Sequence, residues 1–238
     1  MRFAVIGDVH SNIFALDSVL KDIENKQVDF IISTGDLVGY MPFPNEVIEK
    51  IRASRILVIQ GNHDKVIAQA AEVSDELIRN MSDVEVQKSA SAAFTNWVIT
   101  KENRAYLRNL PRQLRISSGR LKVLLVHGSP RMIGEYLYED IEKLTELSKE
   151  VEEDIIICGH THKPYHQIID NKHFINAGSV GKPKHGSSQA TYVIVTIEGD
   201  TVKSDIIEVN YEIESIIEAI KANPMIADEL IPMLKRGL

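Results

Sequence analysis

The sequence predicts an α/β protein, in the broad sense that includes α+β, with a second half richer in strands than the first. Over about the first 60 residues, apolar segments alternate with segments in which apolar residues recur at helical spacing. This rhythm is typical of parallel strands joined by helical crossovers. Beyond residue 114, most predicted elements are short runs of β-branched and aromatic residues, which favour strands.

The opening part of the chain predicts a strand–helix–strand–helix–strand order. Phe3 to Ile6 form an apolar run, and Ile13, Leu16 and Val19 then recur three residues apart, the pattern of an amphipathic helix. We therefore expect a parallel sheet with right-handed crossovers. The predicted elements are a strand at 3–6, a helix at 11–26, a strand at 28–33, a helix around 47–51 and a strand at 56–59.

The segment at about 65–110 predicts helices, because Ala, Glu, Lys and Leu dominate it. We interpret it as a helical cap or side layer of a single domain that spans 1–238, since no repeat, low-complexity tract or flexible linker divides the chain. The remaining predicted elements are strands at 114–117 and 121–126, a helix at 137–150, strands at 155–158, 165–169, 173–176, 192–197 and 201–209, a helix at 211–221 and a short C-terminal helix.

Composition narrows the classes of partner and compartment. A formal net charge of −7 argues against stable nucleic-acid binding. No apolar run approaches the length of a membrane span, and the chain opens with a strand instead of an apolar signal segment. The single cysteine, Cys158, excludes an intrachain disulfide and fits a reducing compartment. We therefore expect a cytoplasmic protein without a membrane partner, and the sequence predicts no oligomeric state.

Polar residues typical of metal sites follow five of the predicted strands. The first group is Gly7-Asp8-Val9-His10, directly after the opening strand. Because the carboxyl ends of parallel strands meet at one edge of a sheet, side chains placed there can converge. The candidate ligands are Asp8, His10, Asp36, Asn62, His63, His127, His160 and His162.

The chemistry of this set indicates the kind of metal and the number of ions. Histidine, aspartate and asparagine without cysteine favour manganese, iron or zinc over a structural thiolate zinc site. One ion needs fewer groups, whereas so many converging ligands suit a pair of ions that share a carboxylate. A pair of ions can clamp both the attacking and the leaving oxygen in phosphoryl transfer.

The order of these groups resembles that of the calcineurin-like metallophosphoesterase superfamily. The similarity runs from residue 3 to residue 180, and the segments 6–12 and 176–181 resemble the small bacterial and archaeal, phosphodiesterase-like branch. The resemblance implies a two-layer mixed β-sandwich flanked by helices. The blocks that carry it are Asp8-x-His10, Gly35-Asp36, Gly61-Asn62-His63-Asp64, His127 and Gly159-His160-x-His162.

The resemblance also implies a role for each residue. Asp36 would bridge two divalent transition-metal ions, manganese or iron, with zinc or nickel as alternatives. His63 would be catalytic, reaching the phosphoryl group without binding a metal, and Asp64 would either orient His63 or cap a helix. One ion would be held by Asp8, His10 and His162, and the other by Asn62, His127 and His160.

The implied substrate is a small phosphoester, with nucleotides among the candidates and phosphodiesters preferred. Serine/threonine protein phosphatases of the superfamily carry an arginine in the second block and another before Gly-Asn-His. Here the segment 35–41 contains no arginine, and Gln60 occupies the second position. Arginine holds dianionic monoesters by bidentate pairing, so its absence favours a diester. A phosphomonoesterase of the protein-phosphatase kind is the alternative.

Two further classes of function compete with hydrolysis of phosphoesters. A catalytically silent scaffold with the same fold is the first, and the intact ligand set with His63 argues against it. A different metallohydrolase, such as an amidohydrolase, is the second. Those enzymes usually begin with His-x-His on a longer barrel, which fits neither the order of the blocks nor the length of the chain.

Several residues near the predicted site have two interpretations each. Arg131, Lys182 and His185 are predicted substrate contacts. A solvated loop explains Arg131 more simply, and a turn between strands explains the other two equally well. Tyr40, Phe43, Tyr136 and Tyr138 either stack on a nucleobase or pack at the rim.

Overall fold

The strands form two five-stranded sheets in the computed structural model, which describes residues 1–71, 76, 81, 85 and 92–238. The first sheet contains β1 (Arg2–Ile6), β2 (Phe30–Ser33), β3 (Leu57–Val58), β9 (Ala190–Glu198) and β10 (Thr201–Val209). The second contains β4 (Leu114–Ser118), β5 (Leu121–Leu125), β6 (Ile155–Cys158), β7 (Tyr165–Ile169) and β8 (Lys172–Asn176).

Both sheets are mixed, with parallel strands at their centres. The first has the order β10-β9-β1-β2-β3, in which β1, β2 and β3 are parallel and β9 and β10 are antiparallel to their neighbours. The second has the order β4-β5-β6-β8-β7, in which β5, β6 and β8 are parallel. The parallel order predicted for the first three strands is therefore confirmed.

Helices flank the sheets in the described part of the chain. None of them combines the length and the apolar character needed to cross a bilayer. They are α1 (Ile13–Ile23), α2 (Pro44–Ala53), α3 (Asn62–Gln69), α4 (Ala92–Val98), α5 (Lys101–Asn109), α6 (Ile141–Ser148), α7 (Ile213–Lys221) and α8 (Leu230–Arg236).

The strand β1 shows why its sequence is apolar throughout. Phe3 and Val5 pack into the cluster between the two sheets, whereas Ala4 and Ile6 pack against the helices, and all four side chains are fully buried. Successive side chains of a strand point to opposite faces, so a strand covered on both faces needs an apolar residue at every position. The predicted two-layer sandwich flanked by helices is confirmed.

The ends of the central strands of both sheets meet at one edge of the sandwich. The amide of Asp8 after β1 donates to Gly35 O after β2, at 2.9 Å, and the amide of Gly159 after β6 donates to His127 O after β5, also at 2.9 Å. His127 Nδ1 lies 2.8 Å from Thr34 O, which joins the loops of the two sheets. Ligand residues from both halves of the chain therefore share one edge.

The predicted helix at 137–150 begins later than expected. The structure has α6 only from Ile141, because the Asp140 carboxylate accepts hydrogen bonds from the first amides of the helix and ends the preceding loop. Leu137 is buried in the core, and its carbonyl accepts a hydrogen bond of 2.9 Å from the Tyr165 hydroxyl. Residues 137–140 are therefore an anchored loop, contrary to the prediction.

Part of the segment predicted as a helical side layer, about 65–110, is described. Arg104 in α5 donates to Ile67 O at 2.6 Å and to Asn96 O at 2.8 Å, so its buried guanidinium joins three helices. Between 72 and 91, only residues 76, 81 and 85 lie within the described part. The single-domain organisation stays a prediction.

We expect Gly181→Ala to destabilise the protein by about 1–3 kcal/mol through overpacking. The amide of Gly181 donates to Asp8 O at 3.0 Å, and a Cβ at this position would lie 1.8 Å from Val9 O. Gly134→Ala is the matched control, because a Cβ there meets nothing within 4 Å. Chemical denaturation of the two variants checks the prediction, and equal stability would contradict the close approach at Gly181.

Candidate metal centre

The first cluster of candidate ligands joins the loops after β1 and β6. His10 Nε2 lies 3.1 Å from His162 Nε2. Asp8 Oδ1 lies 3.2 Å from His162 Nε2 and 3.7 Å from His10 Nε2. All three residues are buried. One carboxylate oxygen and two imidazole nitrogens thus meet within the reach of a single ion.

The second cluster joins the loops after β2, β3, β5 and β6. His127 Nε2 lies 3.2 Å from His160 Nδ1 and 2.8 Å from Asn62 Oδ1. Asp36 Oδ2 lies 3.3 Å from His127 Nε2 and 3.8 Å from His10 Nε2 of the first cluster. Asp36 therefore stands between the two clusters, where the sequence predicts a bridging ligand.

Backbone carbonyls set the tautomers of the four histidines in these clusters. The Nδ1 atoms of His10 and His162 lie 3.1 Å from Val38 O and 2.5 Å from Lys182 O. A carbonyl oxygen only accepts hydrogen bonds, so each of these nitrogens carries its proton and the other nitrogen presents a lone pair.

The histidines of the second cluster follow the same rule. His127 Nδ1 faces Thr34 O at 2.8 Å, and His160 Nε2 faces Gly134 O at 3.2 Å. His160 therefore presents Nδ1 to its cluster, whereas the other three histidines present Nε2. A backbone carbonyl that fixes the tautomer in this way is typical of metal-ligating histidine.

The converging atoms fit a cation. With these tautomers and with neutral rings, the pairs at 3.1 and 3.2 Å each bring two lone pairs together with no hydrogen between them. Asp8 Oδ1 is fully buried and has no hydrogen-bond partner, although burying an unpaired charge is costly. A positive ion at each cluster would relieve both conflicts.

The amide of Asn62 gives the same indication. Its oxygen faces His127 Nε2 at 2.8 Å, and the same position lies 2.9 Å from His160 Nδ1 and 3.3 Å from Asp36 Oδ2. With both rings neutral, all three of these atoms accept hydrogen bonds. Without a cation, the reversed amide would donate to them instead; with a cation, the oxygen-inward orientation is the ligating one.

The backbone is strained where it presents these ligands. Five of the predicted ligands have positive φ angles between 48° and 65°, in the left-handed region. Residues other than glycine rarely adopt this conformation, which costs free energy and concentrates at functional sites. The five residues are Asp8, His10, Asp36, His160 and His162.

Asp64 holds the loop that carries Asp36. Its buried carboxylate accepts hydrogen bonds from the amides of Asp36 at 2.8 Å, Leu37 at 2.9 Å, Val38 at 3.3 Å and Gly61 at 3.0 Å. Of the two interpretations considered above, these contacts support the helix cap, and they add a function that the sequence did not suggest. Burial and the nearby Asp36 raise the pKa of Asp64 to about 7, although hydrogen bonds from the backbone, such as that from Gly61, oppose this rise.

His63 lies beside the first cluster, close to the bridging carboxylate. Its ring centroid is 5.0 Å from that of His10, and its backbone amide donates to Asp36 Oδ1 at 2.8 Å. Gly39 leaves room for the ring, because a Cβ there would lie 2.6 Å from His63 Nδ1. One ring nitrogen of His63 is also within ligand range of His10 and Asp36, so geometry alone permits either catalysis or coordination.

Burial and neighbouring charges set the protonation of the centre. Burial lowers the pKa values of His10, His63 and His160. Burial would also lower the pKa of His127, but the Asp36 carboxylate outweighs it and raises that pKa to about 9. Without a metal, His127 thus shares a proton with Asp36, and a cation would have to displace this proton.

Of the predicted substrate contacts, Lys182 lies beside the centre. Its Nζ is 5.1 Å from the centroid of Tyr40, whose ring packs 4.8 Å from those of His10 and His63. Burial and the neighbouring Lys184 lower the pKa of Lys182 to about 8. His185 instead lies 3.8 Å from Glu208 of β10.

Arg131 fixes a loop, and its contacts give no support to a role in binding substrate. Its exposed guanidinium forms two hydrogen bonds with the Glu150 carboxylate, at 2.8 and 2.7 Å. In the same loop, the Ser129 hydroxyl donates to Glu135. This loop supplies Gly134 O to His160, a contact for which the sequence carries no signal. The Gly-Ser-Pro that follows His127 suggests only a turn.

Asn176 is a second residue whose function the sequence did not reveal. Its side chain donates to Gly159 O at 2.8 Å and to Thr161 Oγ1 at 3.1 Å, and it accepts from the Gly178 amide at 2.9 Å. It thereby holds the loop of His160 and His162 against the glycine-rich segment 177–181. An asparagine at the end of a strand, two residues before a glycine, is the signal that was available.

Comparisons with known proteins agree with this geometry. The sequence profile of the calcineurin-like phosphoesterase superfamily domain matches residues 1–200. An uncharacterised protein of Methanocaldococcus jannaschii is 33% identical over 239 residues, with 92% of each chain covered. A probable metallophosphoesterase of Bacillus subtilis is 25% identical over 150 residues, which cover 61% of this chain and 85% of that protein. The crystal structure of a metallophosphoesterase from Sphaerobacter thermophilus superposes with a TM-score of 0.82 at 28% identity, covering 100% of this chain and 99% of that one.

Metal binding should weaken as the pH falls below the pKa of about 9 that Asp36 gives His127. Below that pH the ring is protonated and cannot ligate, so the apparent Kd for Mn²⁺ should rise by up to about tenfold per pH unit. Calorimetric titration at pH 6, 7 and 8 checks the slope. His127→Asn, which removes the titrating group, should flatten it, and a pH-independent Kd in the unaltered protein would contradict the assignment.

Proposed function

The chain belongs to the calcineurin-like phosphoesterase superfamily and is a phosphoester hydrolase, and from this premise we propose that it works with two divalent metal ions and prefers phosphodiesters. The observation that carries the proposal is the pair of acceptor clusters that share Asp36. In the proposed centre, one ion is held by Asp8, His10 and His162, the other by Asn62, His127 and His160, and Asp36 bridges them.

These side chains suit two hard or borderline cations. The set contains four imidazoles, two carboxylates and one amide oxygen, without sulfur, which favours manganese or iron over a thiolate-bound metal. When bound, such ions would polarise the phosphoryl oxygens and supply a water of lowered pKa. The one cysteine, Cys158, is buried in β6, where burial raises its pKa to about 12. It therefore offers no thiolate to a metal or to a substrate.

His63 is the proposed acid of the reaction. Because burial lowers its pKa, the ring is neutral near pH 7 and retains one N–H. That N–H can donate a hydrogen bond to a phosphoryl oxygen, and the imidazolium form, which is the minor one at this pH, can transfer its additional proton to the leaving alkoxide. The amide hydrogen bond to Asp36 and the ring contacts with His10 and Tyr40 hold His63 next to the centre.

Lys182 and Lys184 are proposed to balance the charge of the substrate. Lys182 lies over the ring of Tyr40 at the rim of the centre. Lys184 is close enough for the carboxylates of Asp8 and Asp36 to favour its protonated form. With a pKa near 8, Lys182 remains mostly protonated at neutral pH. A buried ammonium beside an anion site favours phosphate as a point charge without bidentate geometry.

The preference for a diester rests on the missing arginines. Gln60, at the position where protein phosphatases carry arginine, is buried, and its amide donates to Leu107 O of α5 at 2.7 Å. Position 60 thus faces the helical side layer. A dianionic monoester would lack the fork that holds it, whereas a diester carries one negative charge less. We further propose the cytoplasm as the compartment, on the basis of the single buried cysteine.

The variants Asp36→Asn and His63→Ala should separate the two proposed roles. We expect Asp36→Asn to lose bound Mn²⁺ and all hydrolysis, because both ions lose the ligand that they share. His63→Ala should keep its metal, while kcat falls by about 10²- to 10⁴-fold, the usual contribution of a general acid. Elemental analysis after dialysis and hydrolysis of bis(p-nitrophenyl) phosphate measure both.

The two variants can also contradict the assignments. An unchanged rate in Asp36→Asn would refute the bridging role. Loss of metal from His63→Ala would instead make His63 a ligand, the alternative that its distance from His10 and Asp36 permits.

Preference for the diester should appear as a ratio of kcat/KM above one for bis(p-nitrophenyl) phosphate over p-nitrophenyl phosphate, with Mn²⁺ at pH 7.5. Lys182→Met should raise KM for both substrates, more for the dianion, because it removes a cation beside the centre. Lys203→Met makes the same charge change on the exposed face of β10 and should leave KM unaltered. A higher kcat/KM for the monoester would overturn the preference.

A further inference from the structure

Two tyrosines next to the metal centre have no role in the reaction described above. Tyr136 and Tyr138 belong to the loop between β5 and α6, and 47% and 43% of their surfaces are exposed. Large aromatic side chains are usually buried, so an exposed pair beside a candidate active site indicates a binding surface. We call these two rings the aromatic ledge.

The aromatic ledge continues directly from a candidate metal ligand. The ring of Tyr136 stacks on that of His160, with centroids 4.1 Å apart and an angle of 22°. The ring of Tyr138 stacks on Tyr136 in turn, with centroids 5.7 Å apart and an angle of 8°. Three nearly parallel rings thus lead from the centre to solvent. The separation of the two tyrosines lies in the range that aromatic pairs prefer, and Tyr136 approaches His160 more closely still.

The loop holds the aromatic ledge in place without covering it. Leu137, between the two tyrosines, is buried in the core, and its carbonyl accepts a hydrogen bond from Tyr165. Earlier in the loop, the Arg131–Glu150 ion pair fastens the chain to the segment that follows α6. The rings are therefore ordered before any ligand arrives, which lowers the entropic cost of stacking on them.

Positive charge lies near the aromatic ledge and on the far side of the centre. Lys163 Nζ is 5.9 Å from the centroid of Tyr138, and Lys182 Nζ is 5.1 Å from that of Tyr40. Tyr40 packs against His10 of the first cluster and Tyr136 against His160 of the second, so the two tyrosines flank different clusters of the centre. The combination suits a ligand with a planar ring and a phosphate.

We propose that the aromatic ledge stacks the nucleobase of the substrate, so that the phosphodiesters hydrolysed at this centre are nucleoside esters. The proposal rests on the proposed function, because it concerns the same site. Stacking is available to every base, since each has a π face. The phenolic hydroxyls are the only polar atoms of these two side chains, so the subsite should accept purines and pyrimidines alike.

Orienting His160 is the competing role for these rings. Tyr136 touches His160, so a change there would alter the centre as well as the ledge. Tyr138 contacts Tyr136 and Lys163, one ring further from the ligand, so a change there tests stacking with the least disturbance of the centre. Tyr138→Leu removes the ring but keeps apolar bulk, and Tyr138→Phe keeps the ring as the matched control.

The experiment compares adenosine 5′-methyl phosphate, cytidine 5′-methyl phosphate and the abasic ribose 5′-methyl phosphate, with Mn²⁺ present. All three diesters have the same charge and the same reacting bond. In Tyr138→Leu, we expect kcat/KM for both nucleoside esters to fall by about tenfold, the scale of stacking one base, while that for the abasic ester stays constant. Tyr138→Phe should behave like the unaltered protein.

Two outcomes would overturn the proposal. The first is an unchanged ratio of nucleoside to abasic ester in Tyr138→Leu. The second is an equal fall for all three esters, which would assign the rings to positioning His160. A pronounced difference between the adenosine and cytidine esters would restrict the subsite to one base class and overturn its sequence tolerance.

A binding measurement separates this proposal from the proposed function. Calorimetry with adenosine 5′-monophosphate and ribose 5-phosphate, in the presence of Mn²⁺, reports stacking without turnover. Suppose that none of the esters is hydrolysed, but that the nucleotide binds about tenfold more tightly than the sugar phosphate and does so only when residue 138 is aromatic. The proposed function would then be refuted, whereas base stacking on the aromatic ledge would be supported. Equal affinities would refute the ledge.

Discussion

The structure depends on one electrostatic conflict: buried acceptor atoms point at one another at the edge where the two sheets meet. Lone pairs of four imidazoles, two carboxylates and an amide oxygen converge there, and Asp8 Oδ1 has no hydrogen-bond partner. Such an arrangement is unfavourable in a dry interior. It becomes favourable with positive charge in place, which metal ions would supply at both clusters and which a proton on His127 supplies at the second cluster without metal.

Several backbone and side-chain contacts around the centre prevent these acceptor atoms from moving apart. Four backbone carbonyls from three loops fix the histidine tautomers, and left-handed backbone at five ligands directs their side chains inward. Asp64 ties the loop of Asp36 to the start of α3 through four amides. These contacts place polar groups on a framework of parallel strands that is apolar on both faces, where a shift of the backbone would open cavities.

The sequence predicts which side chains converge at this edge because strands and their ends are local features. An apolar run followed by glycine and a ligand marks a strand end wherever it occurs, and the fold brings strand ends together by topology alone. The tautomers, the hold of Asp64 on the loop of Asp36 and the contact of Gly134 O with His160 depend on pairs of residues 20 or more positions apart, which leave no local pattern. The helix expected at 137–150 fails for a related reason, since Leu137 is held by Tyr165, 28 residues away. Without that anchor, helical periodicity would extend through 137.

The first turn of α3 shows how one local element can serve three purposes. Successive helical residues point about 100° apart, so Asn62 faces the second cluster, His63 lies beside the first, and Asp64 turns back to the loop of Asp36. The positive end of the helix dipole at this turn favours an anion nearby. In the proposed centre, the neutral amide of Asn62 has the same effect, because two divalent ions against the carboxylates of Asp8 and Asp36 would leave a net charge of +2 to meet the substrate. An aspartate at position 62 would ligate as well but would halve that charge. An asparagine therefore suits this position for two reasons, because it can bind a metal ion and because it preserves the positive charge that attracts an anionic substrate.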